Sequence, residues 1–225
     1  MTIDDYFGDW MKVLDKKETI KIMNWLKTTN KSILCPSIEN VFKAFRLCSY
    51  DNCKAVFLFQ DPYPQKGIAT GIAIGNSINT DNNKLSPSLK IIKESVINFE
   101  VPHNLITFDP TLESWAKQGI LMLNTALTTE IGKIGIHTMI WRPFITAFLN
   151  NMSKKNTGII YVLFGNEAKI LKPYINKYNY VLSIEHPAYF ARSNKKMPST
   201  LWDEINKIMY NLYGEKFEWY KEENI

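Results

Sequence analysis

The run Ala55-Val-Phe-Leu-Phe-Gln60-Asp61-Pro62-Tyr63-Pro64 limits what this chain can fold into more than any other stretch. Five consecutive apolar residues, Ala55 to Phe59, suit a strand buried on both faces, as in a parallel sheet. Asp61 then stands at the strand's carboxyl end, where open α/β sheets place their ligand crevice. Pro62 fixes the next φ angle and ends the strand. A carboxylate, an aromatic ring and backbone N–H groups are thereby held in a stiff turn.

Three more strand-like runs, 119–124, 158–165 and 180–186, join the first at 55–60. The stretches between and around them read as helices: 19–28, 38–47, 89–96, 141–152, 167–176 with a break at Pro173, and 201–213. Ser86-Pro87-Ser88 reads as a loop feeding the helix at 89–96, with proline near its first turn. Strands alternating with helices imply an α/β fold, a three-layer sandwich with a central four-stranded, mostly parallel sheet flanked by helices. If the four strands are parallel, Asp61, Asn124, Asn166 and His186 share one edge of the sheet. A carboxylate, an amide and an imidazole beside an aromatic ring can read a small planar ligand and perform acid–base chemistry.

No repeat, low-complexity block or Gly/Ser linker divides the 225 residues, so residues 1–225 are expected to form one domain. The 27 Lys+Arg against 22 Asp+Glu give a net charge of +5, which permits nucleic-acid binding without demanding it. Three cysteines, Cys35, Cys48 and Cys53, form no C-x-x-C pair, which argues against a disulfide framework, a zinc site and an iron–sulfur cluster. No metal and no cofactor is expected. The acidic start lacks an apolar leader, and no apolar run approaches the roughly 18 residues of a membrane span. A soluble, intracellular protein without membrane attachment is the expectation.

The order and spacing of several pieces resemble uracil-DNA glycosylases of the uracil-N-glycosylase family. The pieces are Val41-Phe-Lys-Ala-Phe-Arg46, Gln60-Asp-Pro-Tyr63, Ser86-Pro-Ser-Leu89, Trp115-Ala-Lys-Gln-Gly119, Leu121-Met-Leu-Asn-Thr-Ala-Leu-Thr128, Phe164-Gly165 and His186-Pro187. The resemblance spans about Phe7 to Tyr220. It implies an enzyme that flips deoxyuridine out of DNA and hydrolyses its N-glycosidic bond, starting base-excision repair. Asp61 matches the carboxylate that positions water and stabilises a cationic sugar, and His186 the imidazole that donates to uracil O2. Asn124 matches the amide that reads the uracil edge, and Tyr63 the ring that excludes a C5 methyl group. Gln60 is expected to contribute through its backbone. Ser86, Pro87 and Ser88 match a loop that grips phosphate, with Ser88 as its serine, and Asn166 lies in a further DNA-facing loop. The resemblance also implies DNA as partner, a DNA-mimicking inhibitor protein as a candidate one, a monomer, and a cytoplasmic location, or the host nucleus or cytoplasm for a viral protein.

The chain departs from the family pattern at four places. Phe59 stands where glycine is usual, and either crowds the turn or packs beneath it. Pro64 replaces a histidine. Ile74, in Gly71-Ile-Ala-Ile-Gly75, replaces the aromatic that stacks on uracil, which implies weaker base binding; such stacking is worth about 1–3 kcal/mol per base. In His186-Pro-Ala188-Tyr189-Phe190 the wedge leucine becomes Phe190, beside Tyr189, while Ala188 replaces a serine and Arg192 follows. Apolar wedges of this kind unstack base steps.

Taken singly, each residue has a plainer reading. Asp61 caps a turn, Asn124 forms one, His186 bonds a carbonyl, Tyr63 belongs to the core, and Ser88 caps a helix. The rival function is a catalytically weakened relative that serves as a DNA-binding or replication-associated partner protein.

Overall fold

The computed structural model describes residues 2–77, 84–98 and 105–222. Four five-residue strands form one sheet: β1 (Ala55–Phe59), β2 (Ile120–Asn124), β3 (Ile160–Phe164) and β4 (Tyr180–Ile184). Their order is β2-β1-β3-β4, and every neighbouring pair is parallel. Asn124 lies opposite Phe59, Leu163 opposite Leu58, and Ile184 opposite Phe164. The carboxyl ends of all four strands are therefore level.

β1, β2 and β3 form because both of their faces are apolar, whereas β4, at the sheet edge, is partly exposed at Tyr180 and Ser183. Val56, Leu58, Leu121, Leu123, Tyr161 and Leu163 point into one core layer. Ala55, Phe57, Phe59, Met122, Val162 and Phe164 point into the other. This period of two sorts every second side chain to one layer. The first layer is closed by the helices Lys16–Thr28 and Thr138–Lys155, whose Phe144, Phe148 and Met152 face the sheet. The second is closed by Pro87–Val96, Glu113–Lys117 and Thr200–Tyr213. The β1-to-β2 connection thus carries helices on one face and the β2-to-β3 connection a helix on the other. The chain leaves β1 toward one side of the sheet and β3 toward the other, so the topological switch point that favours a ligand crevice lies between β1 and β3.

Two helices are shorter than their sequence pattern suggests. The 38–47 stretch divides into a 3₁₀ turn, Ile38–Asn40, and a helix, Lys43–Leu47. Asn40 and β-branched Val41 are weak helix formers at the break. The 167–176 stretch is a single helical turn, Asn166–Lys169, followed by a 3₁₀ turn, Lys172–Tyr174. Pro173 cannot donate the hydrogen bond that would continue the helix. Conversely, the helix expected at 141–152 runs from Thr138 to Lys155. No helix among the described residues is long and apolar enough to cross a membrane.

Candidate active site at the carboxyl edge of the sheet

The β1 and β2 ends are stitched together beyond their last paired residues. Thr125 N–H donates to the Phe59 carbonyl at 2.8 Å, and Thr125 Oγ1 and Ala126 N–H both donate to the Gln60 carbonyl, at 2.9 and 3.2 Å. Gln60 is thus held through its backbone. Next to it, Asp61 Oδ2 accepts the Gly135 N–H at 3.0 Å, while Oδ1 is buried with no partner among the described residues. Burial pushes the Asp61 carboxyl up to about 6; the Gly135 bond opposes this, the charge of Glu167 adds to it, and Gln60 opposes it slightly.

Asn124, the last residue of β2, is buried and also has an orphaned Oδ1. A buried acceptor without a protein partner is free to take a hydrogen bond from a donor that enters the site. Asn124 lines a narrow recess together with Pro62, Tyr63, Ile74, Met122 and Leu127. The Tyr63 hydroxyl donates to the Ile74 carbonyl at 3.0 Å, and burial keeps the phenol protonated. Ile74 has φ of 66°, a left-handed conformation that is costly for a β-branched residue. The Tyr63 bond helps to hold this strained wall of the recess in place.

His186 follows β4 and caps the helix Pro187–Ser193. Its Nδ1 accepts the Ala188 N–H at 3.1 Å. Burial, aided by the Arg192 charge, lowers its pKa to about 4, so the ring is neutral near pH 7. A neutral ring whose Nδ1 accepts carries its proton on Nε2, as a donor. Phe59 packs beneath the turn: it stacks on Phe164 at 4.2 Å and meets the His186 ring edge-on at 6.0 Å. Gly165 lets His186 approach, because a Cβ on Gly165 would lie 2.8 Å from the His186 Cβ.

The remaining residues singled out from the sequence lie in loops and helix starts around this edge. Ser86 precedes the helix Pro87–Val96, with Pro87 exposed and Ser88 nearly buried. Asn166 is exposed at the start of Asn166–Lys169. The segment expected as a loop after His186 is the helix Pro187–Ser193, in which Ala188 is half-buried and Arg192 exposed. Phe190 is only 7% exposed and belongs to the core, whereas Tyr189 is 40% exposed. The aromatic ring that this helix offers to solvent is therefore Tyr189.

Three supporting groups escape a reading of the sequence. Gly135 lies 74 residues from the carboxylate it binds. Its only local signal is the pair Gly132 and Gly135, both with positive φ. Asn76 is fully buried and fixes Ser86 twice, its Oδ1 accepting the Ser86 N–H at 3.1 Å and its Nδ2 donating to Ser86 Oγ at 2.7 Å. Arg142 Nη2 lies 3.0 Å from Glu167 Oε2, joining two elements that are remote in sequence.

Known proteins match most of the chain. The model of the Uracil DNA glycosylase superfamily matches residues 45–209. Uracil-DNA glycosylase of Mycoplasmopsis pulmonis is 34% identical over 218 residues, covering 93% of this chain and 96% of its own. That of Fusobacterium nucleatum is 31% identical, with 94% and 95% covered. Among solved structures, mimivirus uracil-DNA glycosylase superposes with a TM-score of 0.73 at 21% identity, covering 96% of this chain and 90% of that one. A variant of the mimivirus enzyme in complex with UGI gives 0.71 at 20% identity, with 96% and 92% covered. The fold is shared with these structures, the family model covers most of the sequence, and the chain belongs to the uracil DNA glycosylase superfamily.

Proposed function

We propose that the carboxyl-edge site excises uracil from DNA by hydrolysing its N-glycosidic bond, leaving an abasic site that begins base-excision repair. The observation that carries this reading is the set of unused polar positions at one sheet edge. Asp61 Oδ1 and Asn124 Oδ1 have no partner among the described residues, and His186 Nε2 holds a proton to donate.

Each position suits one part of the reaction. Uracil enters the recess with its N3–H toward Asn124 Oδ1, while the amide N–H faces O4. Cytosine reverses both groups and leaves Asn124 mispaired. The Tyr63 ring blocks the space that a thymine methyl group needs, and Ile74 covers the base. As the C1′–N1 bond breaks, negative charge gathers on uracil O2, where the His186 Nε2–H stabilises it. The cationic sugar is stabilised by ionised Asp61, which also holds the attacking water. Water oxygen bonds to C1′, its proton passes to Asp61, and uracil leaves with the electrons of the broken bond. A neutral imidazole and a carboxylate fixed in advance need no reorganisation at the moment of reaction.

DNA is held around this pocket. The amide groups at the start of Pro87–Val96 receive a phosphate, a role favoured by the helix dipole. With Ser88 nearly buried, Ser86 and the backbone take most of that contact. Asn166 and Ala188 border the strand, Arg192 adds charge, and Tyr189 is the wedge, with Phe190 anchoring its helix from within. Residues 1–225 act as one monomeric domain in the cytoplasm, and a protein inhibitor that mimics DNA would cover the same edge.

The test is a labelled oligonucleotide carrying one uracil, incubated with purified protein and then cleaved with alkali at abasic sites. Uracil-specific cleavage that disappears in Asp61→Asn supports the reading. Equal cleavage by wild type and Asp61→Asn, or none by folded wild type, refutes it.

A further inference from the structure

The segment joining β2 to β3 grips the turn after β1 at two points. Gly132 N–H donates to the Pro64 carbonyl at 2.9 Å, and Gly135 N–H to Asp61 Oδ2 at 3.0 Å. The segment then enters the helix Thr138–Lys155, whose Arg142 pairs with Glu167 at 3.0 Å. Glu167 belongs to the short helix Asn166–Lys169, which packs against β1, the strand that leads into Asp61. A negative charge is thus held near the active carboxylate by a cation from another element. Arg142 and Glu167 are partly exposed, 23% and 38%, so the core does not depend on them.

Among the described residues, Glu167 is the charge that acts through space on Asp61, raising its pKa beyond the effect of burial, while Lys169 of the same helix is paired with Glu185 at 2.6 Å. His186, after β4, is neutral, and Arg192 acts on that ring. On the segment before Thr138, Glu130 pairs with Lys133 and lies 3.7 Å from His137. Burial holds the His137 pKa below its ordinary value.

We propose that Arg142 and Glu167 form a positioning pair for the catalytic carboxylate, Glu167 setting the negative field at Asp61 and Arg142 limiting it. The inference rests on the glycosylase reading of the site. Its consequence is electrostatic tuning of the acid limit of activity. The charged form of Asp61 is the working form, so excision declines as pH falls through the carboxyl's titration. Removing the Glu167 charge eases ionisation of Asp61 and extends activity to lower pH. Removing the Arg142 charge leaves Glu167 uncompensated and withdraws activity toward neutral pH.

The experiment is a pH profile of kcat/KM on a single-stranded uracil oligonucleotide with the full chain. Glu167→Gln is expected to move the acid limb down by about half a pH unit or more, and Arg142→Gln to move it up by a similar amount. Arg142→Lys keeps the charge and the wild-type limb. Opposite shifts are the signature, because a loss of packing would not change sign between the two partners. An unmoved limb, or shifts in the same direction, overturns the proposal. A second measurement needs no turnover. The melting-temperature gap produced by Asp61→Asn is followed against pH in the wild-type, Glu167→Gln and Arg142→Gln backgrounds. Opposite displacement of that gap supports the pair even if the wild type excises nothing, which would refute the glycosylase reading alone. A gap that titrates identically in all three backgrounds overturns the pair.

Discussion

Replacing Asp61 by asparagine is expected to abolish excision and to make the protein more stable at neutral pH. The Asp61 carboxyl titrates near 6 in the fold against an ordinary 3.8. A shift of roughly two units at about 1.4 kcal/mol each gives an upper bound of about 3 kcal/mol. Asp61 is only partly buried, so solvent screening reduces this to about 1–2 kcal/mol. The sign follows from linkage. A carboxyl whose folded pKa is raised binds its proton more tightly when folded, so its ionised form opposes folding. The opposition is complete above about pH 6, fades as pH falls toward the unfolded value, and is gone below it. Asparagine keeps an oxygen for the Gly135 N–H and carries no charge to bury. A chain of this size gains about 2–4 °C in Tm per kcal/mol, so the variant should melt about 2–8 °C higher at pH 7.5. That gap should close near pH 4. Thermal melting of both proteins across this range, beside the excision assay, checks both halves. A variant that melts lower than wild type at pH 7.5, or a gap that ignores pH, would refute the reasoning.

Four further outcomes are expected. Wild-type kcat/KM should fall about tenfold from pH 7 to pH 5, as the ionised fraction of a group titrating near 6 drops from about 0.9 to about 0.1; a flat profile there would contradict the placement of Asp61. Gly165→Ala should lose about 1–3 kcal/mol of stability, from its φ of 83° and ψ of 173°, and should slow excision by displacing His186. Wild-type turnover in that variant would show that His186 tolerates the intrusion. Phe190→Ala should lower stability by about 3 kcal/mol in a denaturant titration, whereas Tyr189→Ala should leave the melting temperature unchanged and weaken action on duplex more than on single-stranded DNA. Tyr63→Ala should gain measurable thymine excision, read with a thymine-containing oligonucleotide; no thymine release from a variant still active on uracil would remove the exclusion role.

The sequence by itself determined the sheet and the kinds of residue at its edge. Apolar runs of five suit strands buried on both faces, which β1, β2 and β3 are, and each ends where proline, glycine or a polar side chain cannot continue it, while β4 lies at the sheet edge and is partly exposed. This is why Asp61, Asn124, Asn166 and His186 were legible as neighbours before any coordinates. The helices at 38–47 and 167–176 were legible only in outline, because local propensity does not register where a turn must tighten to meet the next element. Tertiary structure alone decided which ring of Tyr189 and Phe190 faces solvent, since two adjacent aromatics carry the same sequence signal and only packing against the second core layer separates them. Tertiary structure also decided how Asp61 is held and charged. Gly135 and Glu167 reach it from 74 or more residues away, and electrostatic fields depend on distance in space, which a parallel sheet with long crossovers conceals in the order of the chain.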